Sequence, residues 1–560
     1  MTKTRFLVMA IMVTVAVIVA KAQQRDVRAD YSFHGDVAEI TTHEVGQLEK
    51  VFTPESEKRV RALNIEGPIN GADIKFLQRI LKRGGAEDQN GRSISNYVDL
   101  DLRYARIVGG GPSYYSYYRT EHDVIGNSMF VSCSHLRSVV LPERTRSIGN
   151  DAFRYCSALT EVKMPRDVRS VGDHAFAGCY NLNRIVLPDG VETLGDGCFD
   201  GCTSLRDLQL PRGLMSLGEK ALDNVPLTVM RLPATTRIEK NSPGFMPNLT
   251  AYTVESGSRY YTYEDGVLFD VTGEVLLLYP PKRGGNYTVP EGVTRLEASA
   301  FRSCSNLASV TMPASVVEVG DNAFASCASL RQVTFPLSLK RLGSGVFEGC
   351  KALAYCRYPA SLTDVPAKTF KDCASLASVD LPASVATIAR EAFKSSGLQA
   401  VSLPSTVTLI EEDAFRGCKA LAAVELGDNM RLIGKGAFRD CDGLRQLSIT
   451  AASIIEKEAF RGCKSLAAIN LPSQLTTIGD NAFRETAITT LDLPASVTDV
   501  GNKIAEKCKN LQTIIVRRAE PPALGKVSNN KVKLVVPAGS EDAYKAANHW
   551  KEFKQIVADE

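Results

Sequence analysis

The amino-acid sequence predicts a solenoid, a stack of similar coils, because one stretch recurs through most of the 560-residue chain. A clear copy runs from Leu159 to Cys179 and reads LTEVKMPRDVRSVGDHAFAGC. The copies on either side end at Cys156 and Cys202, so each terminal cysteine lies twenty-three residues from the next. Self-similarity at this period is typical of repeat architectures in which every coil packs on its neighbours.

The first half of the repeat predicts a strand and a turn. Apolar side chains at Leu159, Val162 and Met164 indicate a short strand with one buried face. Pro165 then ends the strand, because proline has no N–H to donate to a neighbouring strand. A second apolar pair follows and then, in most copies, a glycine. We expect this glycine to provide a bend or a backbone conformation that other residues adopt poorly.

The second half of the repeat contains an Ala–Phe pair, which predicts a short helical turn with the phenylalanine facing inward. One coil cannot bury these side chains by itself, whereas stacked coils would align them into columns of leucine, valine or isoleucine, phenylalanine and cysteine. The predicted fold class is therefore a solenoid of parallel short strands and short helical turns, capped at both ends.

Residues 1–22 have the features of a cleaved signal peptide. Lys3 and Arg5 precede an unbroken apolar run from Phe6 to Ala20, and Ala-Lys-Ala completes a small-x-small cleavage pattern before Gln23. A retained membrane anchor is the alternative, although the apolar run is shorter than a membrane span needs. We expect a protein that is exported to the cell surface, the periplasm or the medium.

The charge balance argues against binding to nucleic acids or anionic membranes. The whole chain has 66 Lys and Arg against 63 Asp and Glu, and the signal peptide holds three of the basic residues and no acidic one. The mature chain is therefore formally neutral and has no basic excess. No later stretch is apolar enough to cross a bilayer, so we expect no membrane insertion after signal cleavage.

Residues 23–123 are predicted to form an N-terminal capping region. Residues 62–81 indicate a strand, a turn at Gly67 and Pro68, and a helix entered near Asn70, while residues 97–108 indicate another strand. Such a region would cover the first coil, whose apolar end would otherwise be exposed.

The remainder of the chain is predicted to form two arrays and a second cap. The first array spans 124–247 and the second spans 294–508, with a hairpin-like insertion over 248–293 that turns around Thr272 and Gly273. Residues 509–560 are predicted to form a C-terminal cap. Its helix begins at Ser540, with Trp550 and Phe553 covering the last coil.

The pattern LxxVxLPxxVxxIGxxAFxxC, over about residues 124–508, resembles the BspA-like leucine-rich repeats of bacterial exported proteins. The resemblance implies a leucine-rich repeat solenoid, which is a right-handed superhelix of parallel strands, and a role at the cell surface, often in adhesion. The asparagine ladder of the better-known leucine-rich repeat is absent from the pattern, and proline stands after the strand instead.

Twelve of the fourteen cysteines stand at one position of the repeat, where the other residues are Val225, Ser396 and Thr486. All three are small, which favours a tight buried site for a free thiol. Disulfides between stacked cysteines are the alternative in an exported chain, but the parallel Cβ directions of stacked residues disfavour them.

No catalytic residue, metal site or cofactor site emerges from the sequence. The six histidines are scattered, no HExxH or Cys/His metal-binding spacing is present, and neither a phosphate-binding loop nor a nucleophile elbow occurs. We therefore expect a protein without enzymatic activity, although a hydrolase within residues 23–125 is an alternative.

Two groups of residues are candidates for binding a ligand. The first is the tyrosine cluster Tyr114, Tyr115, Tyr117 and Tyr118, which predicts an aromatic platform for sugar rings or protein, or else a loop packed back on the cap. The second lies on the outward side of the second array, where most exposed strand positions are small. There the aromatic and charged residues come together in neighbouring coils, at Arg331, Gln332, Tyr355, Arg357 and Asp380.

The sequence thus predicts an exported, non-catalytic protein that binds an extracellular protein or glycan, in cell-surface adhesion or host interaction. A secreted enzyme that processes carbohydrate or peptide and a purely structural envelope protein are the alternatives. A solvated strand face with binding in the loops also remains open.

Overall fold

The computed structural model describes residues 27–82, 97–239, 243–527 and 529–559. The chain divides between Tyr260 and Tyr261 into two compact units, called the first unit and the second unit. The predicted signal peptide lies outside the described residues.

In the first unit, the coils contribute strands to a long-strand row and to a short-strand row, although no long-row strand forms in the described stretch between Val186 and Val229. Apart from the first two strands of the long row, neighbouring strands within a row pair in parallel at equivalent repeat positions, for example Val162 with Ile185. The long-strand row consists of Ala29–His34, Val37–Thr42, Ala62–Ile69, Val98–Asp101, Ala105–Ile107, Leu136–Val140, Glu161–Lys163, Arg184–Val186, Val229–Leu232 and Ala251–Val254. The short-strand row consists of Val124–Ile125, Ser147–Ile148, Ser170–Val171, Thr193–Leu194, Ser216–Leu217 and Arg237–Ile238.

The start of the first unit contains helices Leu48–Val51, Pro54–Arg59 and Gly71–Lys82, and an antiparallel pair formed by its first two strands. The predicted helix near Asn70 is confirmed, and it bonds to the first coil because the amide of Gln78 donates to the carbonyl of Met129 at 2.8 Å. The turn predicted at Gly67 and Pro68 is wrong. The strand continues to Ile69. It bends at Gly67, whose φ is +84°, and from Gly67 onward it pairs with the strand Ala105–Ile107.

The second unit repeats the two-row arrangement. Its long-strand row consists of Gly285–Thr288, Leu307–Thr311, Gln332–Thr334, Tyr355–Arg357, Ser378–Asp380, Ala400–Ser402, Ala423–Glu425, Gln446–Ser448, Ala468–Asn470, Thr490–Leu493, Thr513–Val516, Lys533–Val536 and Gln555–Ala558. Its short-strand row consists of Arg295–Leu296, Glu318–Val319, Arg341–Leu342, Asp364–Val365, Thr387–Ile388, Leu409–Ile410, Leu432–Ile433, Ile454–Ile455, Thr477–Ile478, Asp499–Val500 and Ala523–Leu524.

Antiparallel strands begin the second unit. Tyr261–Glu264 pairs with Val267–Asp270, which pairs in turn with Val275–Leu278 through a turn in which Gly273 donates to the carbonyl of Asp270. The hairpin predicted around Thr272 and Gly273 is therefore present. Val275–Leu278 then pairs in parallel with Arg295–Leu296, so the hairpin leads directly into the short-strand row.

The end of the second unit contains the predicted helix, Glu541–Ala546, and a single 3-10 turn, Trp550–Glu552. Trp550 and Phe553 are buried, and the indole of Trp550 donates to the carbonyl of Pro522 at 2.8 Å. A small apolar cavity of about 30 Å³ remains beside them, room for about one water molecule.

The phenylalanines form the predicted inward columns. Consecutive rings stack at 5.3 Å between Phe153 and Phe176 in the first unit and at 5.1 Å between Phe393 and Phe415 in the second. The Ala–Phe segments are hydrogen-bonded turns and not helical, because left-handed residues such as Asp151 interrupt them. The predicted helical turns are wrong in this respect.

The repeat cysteines are buried, unbonded thiols, as are the other cysteines. Ten of the twelve repeat thiols donate to the backbone carbonyl of the phenylalanine one coil earlier, for example Cys179 to Phe153 at 3.1 Å and Cys441 to Phe415 at 3.1 Å. Burial raises the pKa of Cys179 to about 12. The repeat position thus accepts a small buried side chain, and where serine and threonine replace cysteine, Ser396 and Thr486 share hydrogen bonds with the thiols of Cys418 and Cys508 in the next coil.

The repeat glycines serve a purpose different from the predicted one. Gly149 and its equivalents have ordinary negative φ, so no special conformation is required. A Cβ at Gly149 would lie 2.5 Å from the side-chain oxygen of Asn127, and one at Gly343 would lie 2.5 Å from the amide nitrogen of Asp321. In the coils that have glycine here, the adjacent coil approaches so closely that a side chain would force one of them to shift.

Candidate binding surfaces

The outward side chains of the long-strand row in the second unit form a surface that we call the strand face. Tyr355, Arg357 and Asp380 project from this row and are exposed. The hydroxyl of Tyr355 donates to the carboxylate of Asp380, which raises the pKa of Tyr355. Arg357 lies opposite Asp380 in the strand register. The structure therefore brings three of the five residues predicted for this site together.

Arg331 and Gln332 are also exposed and belong to the coil before Tyr355. Gln332 occupies the repeat position of Tyr355, because it pairs with Ser309 as Tyr355 pairs with Ser378. The strand Gln332–Thr334 lies beside Tyr355–Arg357.

Small side chains surround this group on the strand face. Ser309 precedes it in the row, and Ser378, Ala400 and Ala423 follow it. The tyrosine ring, which is 46% exposed, therefore stands above a low surface that lets a partner approach the strands closely.

The four tyrosines of the predicted platform separate into two groups. They lie on an antiparallel hairpin, Gly110–Tyr115 with Tyr118–Thr120. Tyr114 is buried, its hydroxyl donates to the carbonyl of Asn127 at 2.9 Å, and burial raises its pKa. Tyr114 thus packs back on the first coil and is not part of an exposed platform.

The other three tyrosines of the hairpin reach the surface. Tyr117 is 76% exposed, and its ring lies 4.6 Å from that of Tyr118. The ammonium group of Lys82 lies 5.7 Å from the ring centroid of Tyr115. These residues match the predicted aromatic platform more closely than the alternative of a packed loop.

Two exposed tyrosines in the neighbouring coils were not among the predicted site residues. Tyr155 and Tyr180 are 47% and 50% exposed, and they flank the repeat cysteine position, one residue before Cys156 and one after Cys179. The signal was present in the sequence, because other coils have small or polar residues at these positions.

The part of the chain that the structure describes contains no group of three or more His, Cys, Asp or Glu side chains arranged to hold a metal ion. None of its helices combines the length and the hydropathy needed to cross a bilayer.

The family model of the BspA-type leucine-rich repeat region matches residues 123–244, 285–399 and 386–512, which together make up more than half of the chain. No curated protein matches the sequence.

Several solved structures are similar. A leucine-rich cell surface protein from Faecalibacterium prausnitzii is 29% identical, with 58% of this chain and 87% of that chain covered and a TM-score of 0.45. A leucine-rich repeat protein from Bacteroides ovatus is 22% identical, with 81% and 98% covered and a TM-score of 0.39. The pneumococcal vaccine antigen PcpA is 14% identical, with 95% and 97% covered and a TM-score of 0.35.

The predicted solenoid and the predicted family are therefore both confirmed. Parallel strands recur at a spacing of about 23 residues in both units, and the family match covers coils of both. The chain belongs to the BspA-type leucine-rich repeat family.

Proposed function

We propose that the mature protein is an exported, non-catalytic repeat protein that binds an extracellular protein or glycan in cell-surface adhesion or host interaction. The strand face of the second unit is its main contact surface. The observation that carries this proposal is the exposed group of Tyr355, Arg357 and Asp380 on an otherwise low and weakly charged surface. The family and its cell-surface relatives support a location outside the cell.

Tyrosine and arginine are the residues that most often carry binding energy at protein surfaces. Tyr355 is also held in place by its hydrogen bond to Asp380 in the free protein. Less side-chain freedom is then lost when a partner binds, which favours affinity. Arg357 forms no ion pair with another described residue, so its guanidinium is available to a carboxylate or hydroxyl of the partner.

A partner of ordinary size would contact several coils. In this region the ring centroids of phenylalanines in successive coils lie 5.7 Å and 5.6 Å apart, and paired strands lie about 5 Å apart. A footprint of about 800 Å² per partner would then extend over about five coils. Such a footprint centred on Tyr355 includes Arg331 and Gln332 on one side and the small residues of the following coils on the other.

The test is ligand capture by the immobilised mature chain, residues 23–560, from a panel of extracellular matrix proteins and polysaccharides. The double substitution Tyr355→Ala with Arg357→Ala should weaken binding of the captured ligand about tenfold or more. The matched control is Tyr263→Ala with Arg302→Ala, which removes the same two residue types from exposed positions of the second unit outside the strand face. It should leave the affinity unchanged.

Unchanged affinity in the folded Tyr355 and Arg357 variant would move the site away from the strand face. Release of sugars or peptides from the captured ligand would favour the enzyme hypothesis. Failure to capture any ligand would favour a purely structural envelope protein.

A further inference from the structure

A row of exposed tyrosines crosses the coils of the first unit, on the side of the repeat turns. We call it the tyrosine strip, and it comprises Tyr117, Tyr118, Tyr155 and Tyr180 together with Asp151 and Arg154. Its members stand on the repeat turns and on the hairpin, not on the long-strand row.

Hydrogen bonds connect two groups within the strip. In the first group, the hydroxyl of Tyr117 donates to that of Tyr118 at 3.5 Å, which raises the pKa of Tyr118. In the second group, Asp151 accepts a hydrogen bond from Arg154 at 2.9 Å. Arg154 in turn donates to the hydroxyl of Tyr155 at 3.2 Å, with its guanidinium carbon 4.9 Å from the ring centroid.

A glycine in the next coil makes room for the ring of Tyr155, because a Cβ at Gly178 would lie 2.5 Å from it. The ring of Tyr180 lies beside Gly201, where a Cβ would be in ordinary contact with it at 3.7 Å. Each tyrosine therefore lies over the backbone of a following coil. The strip thus extends over the coils that end at Cys156, Cys179 and Cys202.

Folding alone does not account for Tyr155. Its φ of 61° is in the left-handed region, which is unfavourable for a bulky side chain, and no other aromatic residue has a positive φ in the described chain apart from two histidines. The same repeat position is small or polar in the other coils, including Ser132, Gly178, Gly201, Asn224, Ser303, Ser326, Gly349, Asp372 and Ser395. Positive φ recurs at this position in those coils, so the left-handed backbone belongs to the repeat and the tyrosine side chain is what distinguishes this coil.

We propose that the tyrosine strip binds a neutral polysaccharide whose hexopyranose units lie along successive coils. The C–H groups on the face of a pyranose ring carry partial positive charge and pack on the negative face of an aromatic ring. Tyrosine hydroxyls, Asp151 and Arg154 lie between the rings and can exchange hydrogen bonds with sugar hydroxyls.

The charges of the strip favour a neutral glycan over other partners. Asp151 and Arg154 neutralise each other, so the strip offers no excess charge to a sulfated or uronic-acid polymer. It also contains no aliphatic side chain, whereas the buried centre of a protein interface is largely apolar.

The experiment measures binding of the mature chain to soluble neutral polysaccharides, a β-glucan, an α-mannan and a dextran, by isothermal titration calorimetry. Heparin and a proline-rich peptide serve as charged and protein-like probes. The test variant is Tyr155→Ser with Tyr180→Ser, since serine stands at these two repeat positions in Ser132 and Ser157. The control variant is Tyr104→Ser, which removes a tyrosine that is 60% exposed and lies outside the strip.

We expect at least one neutral polysaccharide to bind, the double variant to lose about tenfold or more in affinity, and the control to bind normally. The thermal midpoint of the double variant should stay the same or rise, because the substitution removes a strained tyrosine. Full binding by the folded double variant, or preference for heparin or the peptide, would overturn the proposal, as would failure of all three neutral polysaccharides.

The Tyr355→Ala and Arg357→Ala variant separates this proposal from the proposed function. Loss of polysaccharide binding in that variant, with binding intact in the Tyr155 and Tyr180 variant, would place the glycan on the strand face and refute the strip.

Discussion

In the first unit, a ladder of side-chain hydrogen bonds runs in one direction from coil to coil. The side chain of the residue after each repeat glycine accepts a hydrogen bond from the backbone N–H of the equivalent residue in the next coil. Asn127 accepts from Asn150 at 2.8 Å, Asn150 accepts from Asp173 at 2.9 Å, and Asp173 accepts from Asp196 at 2.9 Å. The second unit has such bonds only in part, for example from Asp480 to Asn502.

At two basic residues of this ladder position in the second unit, Arg390 and Lys435, the acceptor comes from the opposite direction. The N–H of Arg390 donates to the side chain of Glu411 at 2.9 Å, and the N–H of Lys435 donates to Glu456 at 2.8 Å. These glutamates stand at the glycine position of the following coil. The exposed N–H is therefore bonded in both units, by different residues.

The turn side of the two units also differs. In the second unit, Lys371, Lys394, Arg416, Arg439 and Arg461 form ion pairs with acids of their own and adjacent coils, so the pairs form a network. At the same repeat positions of the first unit, the described residues contain one pair, Arg154 with Asp151. The tyrosine strip lies on the turn side of the first unit, where the second unit has its ion-pair network.

The strand sides differ as well. In the first unit, Asp99 bonds to Arg137 and Ser138, and Arg137 lowers the pKa of the carboxyl group of Asp99. Arg184 pairs with Glu161 at 3.4 Å. These charges are satisfied among themselves, whereas the second unit combines small side chains with the group around Tyr355. The columns of phenylalanine and cysteine are common to both units, so the interior follows the repeat and the surfaces are free to diverge toward different partners.

The largest expected effect tests the shared interior. Phe176→Ala in the first unit and Phe324→Ala or Phe438→Ala in the second should each lower the free energy of unfolding by about 3–5 kcal/mol, because each ring is buried between two stacked rings. Urea unfolding of each variant measures this cost. A loss near zero in either unit would contradict the claim of a common column.

The next effect tests the close approach of the coils. Gly149→Ala in the first unit and Gly343→Ala in the second should each cost about 1–3 kcal/mol, because the new methyl group would overlap the preceding coil. The reverse change Ala389→Gly is the control, since Ala389 already occupies this repeat position. It should change the urea midpoint less than either alanine variant. Equal costs for all three variants would indicate that the close approach of adjacent coils is not why glycine occupies this repeat position.

A smaller effect tests the opposite directions of the ladders. Asn150→Ala should remove the acceptor for the N–H of Asp173, and Glu456→Ala should remove that for Lys435, each at a cost of about 1 kcal/mol. Hydrogen exchange should accelerate at Asp173 in the first variant and at Lys435 in the second. Lys457→Ala, at the ladder position of the coil that contains Glu456, should leave the exchange of Lys435 unchanged. If exchange at Lys435 accelerated in Lys457→Ala and not in Glu456→Ala, the reversed direction of the hydrogen bond would be refuted.

The smallest effect tests the ion-pair network. A double-mutant cycle between Glu458 and Arg461 should give a coupling energy of about 0.5 kcal/mol, and the isolated pair of Asp151 and Arg154 should give less. Both couplings should shrink in 1 M salt, because exposed charges are screened. Equal couplings in the two units would show that the network adds nothing to its separate pairs.

The sequence by itself determined the interior of this protein. Periodic apolar positions, the proline after Met164 and the recurring Phe153 and Cys156 positions predicted the strands, the turns and the inward columns, because burial in a repeat depends on local spacing. The same reasoning located the hairpin at Gly273 and the C-terminal helix after Ser540.

Only the tertiary structure decided how one coil contacts the next. Cys179 and Phe153 are 26 residues apart and Asn127 and Asn150 are 23 apart, so the bonds between them depend on the register of the stack and not on neighbouring residues. Tyr114 and Tyr117 show the same limit at the surface. They are alike in sequence, but Tyr114 lies on a strand and packs against the first coil, whereas Tyr117 lies in the turn of the hairpin and is exposed, a difference that arises only when the two strands pair.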